Sequence, residues 1–186
     1  KKPGPPVHDD LVQRQFHAEG PNQVWLTDIT EHHTSEGTLY SCAVKDVWSN
    51  RIVGYSIDSP MKKPIAINAL RMALQRRGPV AGCIVHSDRD SPFRAHACVA
   101  ELTAHDLQGS MGPVASSPDN AAMESFFALV HKNVLNRHPW ASRAELQLAI
   151  ITWIEKTYHR RRRQQRLDTL TPVEAEAVHQ TTTKVT

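Results

Sequence analysis

The sequence predicts an α/β domain in which helices flank one mixed sheet of five strands. Strand-like runs joined by short turns fill the chain before residue 60, which is typical of an antiparallel meander. After that point, helical periodicity alternates with short apolar runs, which is typical of strands and helices packed in layers. The 186 residues fit a single domain and are enough to bury a substantial core.

Three strands are predicted in the first part of the chain. The run 24–31 is rich in β-branched and aromatic residues, and a turn at 35–37 separates it from a second strand at 38–47. A third strand follows at 51–59. Residues 1–22 begin with prolines and a glycine, so we expect an extended N-terminal arm ahead of the first strand.

Helices and strands alternate after the meander. Apolar residues recur at helical spacing over 64–77, and Gly78-Pro79 ends that helix. A short apolar run at 83–86 predicts a buried strand, and a helix is expected from Pro92 to His105. Residues 108–111 predict a short fifth strand.

Two further helices are predicted in the last third of the chain. After a loop at 112–117, Ser117-Pro118 has the pattern of an N-cap and first helical residue, and that helix is expected to extend to Asn136. Ser142 and Glu145 have the spacing of a capping box, which predicts the start of the next helix.

Positive charge is distributed unevenly along the chain. The net charge is only +3, but a basic block follows the last predicted helix. Such a block often marks contact with nucleic acid phosphates, although cations also suit a solvated helix end. We therefore expect a core over 23–160 and a basic C-terminal segment and tail over 161–186. The residues that a DNA contact would use there are Arg160, Arg161, Arg162 and Arg163.

Several classes of protein are not expected. No apolar run approaches the roughly 20 residues of a membrane-spanning helix, and the start of the chain lacks the pattern of a secretory signal. Cys42, Cys83 and Cys98 are odd in number and far apart, so neither a disulfide framework nor a zinc motif is predicted. A reducing, cytoplasmic setting and no membrane partner are the resulting expectations.

Three acidic residues occur at positions where a carboxylate calls for a structural or functional explanation. Asp28 interrupts an apolar strand, Asp88 follows the end of a central strand, and Glu124 lies two turns into a helix. Each alone could be structural, as a partner of an arginine, a strand-end turn or a helix-surface acid. Together they would repel by roughly 4 kcal/mol per pair at about 4 Å and an effective dielectric of about 20. Converging acids therefore favour divalent cations, and oxygen ligands favour Mg²⁺ or Mn²⁺ over zinc.

Each of these acids lies within a short motif. Asp28 is part of Trp25–Thr30, Asp88 of His86–Arg89 and Glu124 of Asp119–Phe127, and 35 residues separate the last two acids. The three motifs, in this order and spacing, resemble the signature of DDE transposases of bacterial insertion sequences, which carry a retroviral-integrase-like catalytic core. Further matches are Ile52–Tyr55, Ser110-Met111, Tyr158–Arg163 and Leu170–Glu174. The resemblance covers about residues 16–177.

The resemblance implies a ribonuclease-H-like fold, with Asp28, Asp88 and Glu124 as catalytic residues that hold two Mg²⁺ or Mn²⁺ ions. It implies metal-dependent cleavage of DNA at the ends of a mobile element, followed by strand transfer into target double-stranded DNA. A homo-oligomer in the bacterial cytoplasm, associated with the nucleoid, would carry out the reaction. A nuclease of the same fold without strand transfer, or a non-catalytic DNA-binding or assembly module, remains an alternative.

Two residues are expected to support the acids without binding a cation themselves. Asn120 lies one turn before Glu124 on the same helix face, where its amide could orient the carboxylate. His86 precedes Asp88 by two residues and would point to the same face of the sheet, although a packed histidine fits this position equally.

Three more residues are interpreted against the family pattern. Many relatives place a lysine or arginine seven residues after the glutamate, where this chain has His131 followed by Lys132. We assign DNA contact to both. Asp90 occupies a position where many relatives have glycine; its carboxylate could join the metal ligands, but we expect it to point into solvent.

Overall fold

The computed structural model describes residues 7–59, 64–112 and 121–183, and in them the chain folds around a mixed sheet of five strands. The strands are β1 (Val24–Thr34), β2 (Gly37–Asp46), β3 (Ile52–Asp58), β4 (Ile84–Ser87) and β5 (Gln108–Met111). The helices are α1 (Pro64–Arg77), α2 (His96–Ala104), α3 (Ala121–Asn133), α4 (Arg143–Thr152) and α5 (Pro172–Thr183). The predicted fold class is confirmed.

The sheet has the strand order β3-β2-β1-β4-β5. The first three strands are antiparallel neighbours, as the meander predicts, whereas β4 and β5 run parallel to β1. This arrangement puts β1 at the centre of the sheet. Leu26 of β1 lies opposite Lys45 of β2 on one side and His86 of β4 on the other, so β4 ends beside the first half of β1, which continues to Thr34 along β2.

Alternation along β1 divides the core into two layers. Trp25, fully buried, faces the layer that contains α1 and α2. Leu26, 1% exposed, faces the opposite layer with α3 and α4. Even-numbered residues of β1, such as Leu26, therefore point toward α3, and Asp28 is one of them.

Gly54 explains the close contact between β3 and α1. A Cβ built at this glycine would lie 2.2 Å from the carbonyl oxygen of Ala69 and 2.7 Å from the backbone nitrogen of Ala73. Only a residue without a side chain lets the helix lie this near the strand. The glycine in the Ile52–Tyr55 motif is thus required by packing.

The C-terminal segment includes a helix, α5, that was not predicted from the sequence. Thr171 caps it reciprocally: its backbone N–H donates to Glu174 Oε2 at 2.9 Å, and the Glu174 N–H donates to Thr171 Oγ1 at 3.3 Å. Glu176, only 3% exposed, is ion-paired with Arg51 and Arg77, which ties α5 to β3 and α1.

Two helix boundaries differ from prediction. Residues 92–95 form turns, in which Phe93 N–H donates to Asp90 O, so α2 begins at His96 and not at Pro92. At the other end of the chain, Val134 leaves helical geometry (φ −122°, ψ −65°), so α3 ends at Asn133. The predicted start at Ser117-Pro118 lies outside the described residues.

The three cysteines do not pair with one another. Cys42, Cys83 and Cys98 are buried, free thiols. Within the described residues, no helix combines the length and the apolar character needed to cross a membrane.

Candidate active site

Asp28 projects from the central strand toward α3. It is half-buried, and its Oδ1 accepts a hydrogen bond from the Ile29 backbone N–H at 2.7 Å. The apolar residues that precede it on β1 are buried, so this carboxyl follows an apolar stretch of the strand. Strand alternation puts it on the same face as Leu26.

Asp88 lies directly after β4, beside the middle of β1. Because β4 is parallel to β1 and His86 lies opposite Leu26, residues two positions further along each strand are level with one another. The turn is held in place by Asp90 N–H, which donates to Asp88 Oδ1 at 3.0 Å, and by Arg89 Nε, which donates to Gly112 O at 2.8 Å. The parallel pairing of β4 with the first half of β1 thus places the two aspartates on neighbouring segments of the sheet.

The titration of the aspartates reflects this proximity. Burial, together with the charges of Asp88, Asp90 and Glu124, raises the pKa of Asp28 to about 7 despite the hydrogen bond from Ile29. Burial also raises the pKa of Asp88 to about 6, and the Asp90 carboxyl acts in the same direction. Burial is the larger cause of both shifts, and the neighbouring carboxylates add to it.

The prediction that the Asp90 side chain points into solvent was wrong. The residue is half-buried, its backbone N–H holds Asp88, and its carboxyl charge raises the pKa of both Asp28 and Asp88. The tight turn after β4 causes the difference, because it folds the side chain at 90 back toward the carboxyl at 88.

Glu124 approaches the aspartates from helix α3. Met123, Phe126 and Val130 pack the helix against the sheet, which leaves Glu124 on its exposed face. Glu124 and Asp28 line one open groove with a volume of about 520 Å³. The charges of Asp88 and Glu124 both act on the Asp28 carboxyl, so the three acids that the sequence singled out lie in one region of the fold.

Lys45 supports the first turn of α3, a role that the sequence pattern did not indicate. This lysine is 6% exposed, and its Nζ donates to the carbonyl oxygen of Ala122 at 3.1 Å. Burial, together with the nearby charge of Arg166, lowers the pKa of Lys45 to about 8. A buried amine thus anchors the backbone two residues before Glu124.

The chemistry of the site suits a hard divalent cation. Its donors are carboxylate oxygens, which Mg²⁺ and Mn²⁺ prefer. Among the described residues, no three Asp, Glu, His or Cys side chains lie close enough to one another to hold a metal ion. The acids are within electrostatic range of one another, so bound cations would relieve their repulsion by drawing the carboxylates inward.

The raised pKa values predict a specific dependence of stability on pH. Between 3.8, the ordinary value for Asp28, and about 7, the unfolded chain has lost a proton that the folded chain keeps. Raising the pH through this window in metal-free buffer should therefore lower the free energy of unfolding, by roughly 1–3 kcal/mol. Mg²⁺ or Mn²⁺ should restore it by binding the folded state.

Thermal denaturation with and without Mg²⁺ measures this effect. Asp28→Asn should lose most of the pH-dependent fall and most of the stabilisation by the cation. The matched control is Asp58→Asn, at an exposed aspartate at the end of β3. An unchanged pH profile in Asp28→Asn would show that Asp28 is not the coupled group.

Of the two residues expected to support the acids, His86 and Asn120, only His86 lies among the described residues. His86 is 5% exposed, its Nδ1 forms a 2.9 Å hydrogen bond with Ser110 Oγ, and its ring packs edge-on against Phe16. The His86 ring thus links β4, β5 and the N-terminal segment, two residues before Asp88. Asn120 lies outside the described residues.

The basic residues lie in two places. His131 and Lys132 are exposed on α3 and line the groove shared by Asp28 and Glu124. The four arginines at 160–163 are exposed in the turn after Tyr158. Arg163 is engaged within its own segment, where it pairs with Glu174 at 3.2 Å and donates to Thr169 O.

Comparison with known proteins gives consistent results. A family model described as "Integrase core domain" matches residues 18–117, and a second model with the same description matches 105–172. The transposase InsF for insertion sequence IS3A of Escherichia coli strain K12 is 37% identical over 173 residues, which are 93% of this chain and 60% of that protein. A transposase for insertion sequence element IS629 of Shigella sonnei is 38% identical, over 91% of this chain and 57% of that protein. The chain thus spans less than two thirds of these relatives.

A solved structure supports the fold. The HTLV-2 integrase catalytic core domain in complex with magnesium superposes with a TM-score of 0.66 at 16% identity, over 86% of this chain and 99% of that one. At this identity the match concerns the ribonuclease-H-like architecture.

Proposed function

The chain belongs to the integrase core domain family, and we propose that it is the catalytic core of an insertion-sequence transposase, which cleaves DNA at the ends of a mobile element and joins them to target DNA. The relatives named above are transposases of insertion sequences. We propose Asp28, Asp88 and Glu124 as the catalytic residues.

The observation that carries the proposal is the position of the Asp28 carboxyl, half-buried on the central strand and within range of the charges of Asp88, Asp90 and Glu124. A carboxyl whose pKa is raised to about 7 by burial and by three neighbouring acids is costly to keep in a domain of ordinary stability. Such clusters occur preferentially at functional sites. Here the cluster opens onto a groove bordered by His131 and Lys132, which suits a phosphodiester backbone.

Asp28, Asp88 and Glu124 would hold the divalent cations. Two cations bound there would activate water or a DNA 3′-hydroxyl and stabilise the leaving oxygen of an in-line displacement. The chain itself fixes the carboxylates through the strand end, the turn at Asp90 and the Lys45 contact with α3. The rigid sheet therefore supplies the positioning, and no nucleophilic side chain is required.

A strand-transfer assay tests the proposed reaction. A labelled duplex that represents a pre-cleaved element end is incubated with the chain, Mn²⁺ and a target plasmid. Joined products support a transposase, whereas cleavage of an uncut end without joining indicates a nuclease of the same fold. Neither reaction, in a sample that binds DNA and Mn²⁺, would favour a non-catalytic module.

We propose that double-stranded DNA is held partly by the exposed arginines. Replacing Arg160, Arg161 and Arg162 by alanine should weaken binding by a similar factor on every sequence, since phosphate contacts carry affinity and not sequence information. The slope of log affinity against log salt should become shallower by about 0.9 for each phosphate that is no longer neutralised. Titration of labelled duplexes at several salt concentrations measures both.

Arg163→Ala is the internal comparison. Because Arg163 is paired with Glu174, its replacement should change the salt slope less than replacement of a single neighbour such as Arg161. Strong preference of the parent chain for one duplex sequence would contradict the expectation of phosphate-based binding.

We also propose a homo-oligomer, because joining two element ends to one target requires at least two active sites near each other. Cross-linking of the chain on paired ends tests this. A monomer in a complex competent for strand transfer would refute it.

A further inference from the structure

The N-terminal segment, residues 8–16, lies against the edge of the sheet. β5 is the edge strand of the described sheet, with β4 on one side, so its other side would expose unpaired backbone groups. On that side the backbone N–H of Met111 donates to the carbonyl oxygen of Asp9 at 3.3 Å. A Cβ built at Gly109 would collide with the ring of His8. The segment therefore lies directly on β5 because residue 109 has no side chain.

The hydroxyl of Ser110 joins this segment to β4. Ser110 is 1% exposed, and its Oγ accepts a hydrogen bond from the Leu11 backbone N–H at 2.9 Å. The same Oγ forms a 2.9 Å hydrogen bond with Nδ1 of His86. A serine hydroxyl can make both bonds at once, because it has two lone pairs and one proton. One buried side chain thus connects three segments that are far apart in the sequence.

Phe16 contacts the same histidine from the other end of the N-terminal segment. Its ring meets the His86 ring edge to face, with centroids 5.8 Å apart and planes inclined by 72°. Between the two ends of the segment, Val12 is 5% exposed and belongs to the apolar core. The segment is therefore packed into the domain, and the His86 ring is held by Ser110 and Phe16 together.

The turn that carries Asp88 begins directly beyond these contacts. β4 and β5 are only four residues long, so few backbone hydrogen bonds between them hold the end of β4. Past the strands, Arg89 Nε donates to the carbonyl oxygen of Gly112 at 2.8 Å. The end of β5 is thus connected to the Asp88 turn on both sides, through His86 before Asp88 and through Arg89 after it. A displacement at Ser110 would reach Asp88 by either contact.

We propose that Ser110 is a positioning residue of the candidate active site, which holds Leu11 and His86 together and so fixes the Asp88 carboxylate for a divalent cation. This inference rests on the proposed function, since it assumes a cation at Asp88. A carboxylate that is already held in place loses little conformational freedom when a cation binds, whereas a mobile one has to be ordered at that moment. The N-terminal segment thereby contributes to cation binding.

Binding of Mn²⁺ to the metal-free chain tests the inference. Ser110→Ala removes the hydroxyl and both of its hydrogen bonds. The dissociation constant for Mn²⁺, measured from the electron paramagnetic resonance signal of the free ion, should rise roughly threefold to tenfold. Ser110→Thr keeps the hydroxyl and should stay within about twofold of the parent. Binding that persists in Asp28→Asn is subtracted, so that only ions at the candidate site are counted.

Ser49→Ala is the matched control for a loss of stability alone. Ser49 is buried in the turn between β2 and β3, and its Oγ also accepts from a backbone N–H, that of Arg51, and bonds to a side chain, that of Asp46. Both alanine variants should unfold at lower urea concentration, but only Ser110→Ala should bind Mn²⁺ more weakly. Equal affinity of Ser110→Ala and the parent, or an equal loss of affinity in Ser49→Ala, would overturn the inference.

Amide hydrogen exchange provides a measurement that needs no cation. The backbone N–H of Asp90 donates to Asp88 Oδ1, so its exchange reports how firmly the turn is held. This amide should exchange roughly threefold faster or more in Ser110→Ala. Leu11→Pro removes one donor to Ser110 at a residue that is 46% exposed, and it should act in the same direction if Ser110→Ala fails to fold.

The two measurements separate this inference from the proposed function. Unchanged exchange at Asp90 in the folded variants would overturn the role of Ser110, whatever the activity of the chain. A parent chain that binds no Mn²⁺, but in which Ser110→Ala accelerates exchange at Asp90, would refute the proposed metal site and leave Ser110 as the residue that holds the turn.

Discussion

Replacing Asp88 by asparagine should abolish DNA nicking and strand transfer while leaving the fold and DNA binding nearly intact. Asparagine has almost the same volume and can still accept the hydrogen bond from Asp90 N–H. It lacks the charge that a divalent cation requires. We expect single-turnover rates to fall by roughly a thousandfold or more, which corresponds to about 4 kcal/mol of transition-state stabilisation.

Cleavage of a labelled element end in Mn²⁺ measures this effect, with two variants as comparisons. Glu124→Gln should lose cleavage and joining to a similar extent, because both reactions share the site. Asp90→Asn should retain activity within about tenfold of the parent, since its backbone N–H still holds Asp88 and only a neighbouring charge is removed. Full activity of Asp88→Asn, or an equal loss of activity in Asp90→Asn, would show that the ligands are assigned incorrectly.

The position of each acid could be predicted from local pattern. Strand alternation places Asp28 on the face of Leu26, and the end of an apolar run places Asp88 at the carboxyl edge of the sheet. Their convergence could not be derived in this way, because it depends on which strands become neighbours. The family resemblance supplied that information, and the parallel pairing of β1 with β4 accounts for it physically.

The residues that were missed depend on contacts between distant parts of the chain. Lys45 lies in a strand beside Asp46, where an exposed lysine would be ordinary, and its burial follows from the position of Ala122 on α3. Ser110 has no local feature that predicts the backbone of Leu11 beside it. The orientation of Asp90 depends on the geometry of one turn, which the residue pattern does not specify.

Helix α5 differs from these cases because a local signal was present. Thr171, Pro172 and Glu174 match the N-cap, first and third positions of a capping box. The following residues, rich in alanine and threonine, have weak amphipathic periodicity, so the pattern beyond the cap does not predict a helix. The anchor of α5, Glu176, depends on Arg51, just before β3, and Arg77 of α1, which are adjacent only in the folded chain.

Glu176→Gln should destabilise the domain strongly. The carboxylate is buried with the Arg77 guanidinium, whose side chain is 10% exposed, and it accepts from Arg51 Nη1 at 2.6 Å. Burial alone would raise the pKa of Glu176, but the hydrogen bonds and charge of Arg77, with the hydrogen bond from Arg51, hold it below its ordinary value. A neutral amide leaves two guanidinium groups without their counter-charge, so we expect the free energy of unfolding to fall by about 3–5 kcal/mol.

Urea denaturation of the parent and two glutamate variants measures this difference. Glu101→Gln is the matched control, because Glu101 also receives two hydrogen bonds from one arginine, Arg71, but that arginine is 58% exposed. Its replacement should cost no more than about 1 kcal/mol, since water replaces the partner. The stabilisation from Glu176 should be present near neutral pH and should disappear as the pH falls below the pKa of its folded carboxyl. A cost for Glu176→Gln no larger than that for Glu101→Gln would mean that the C-terminal helix is not anchored by this ion pair.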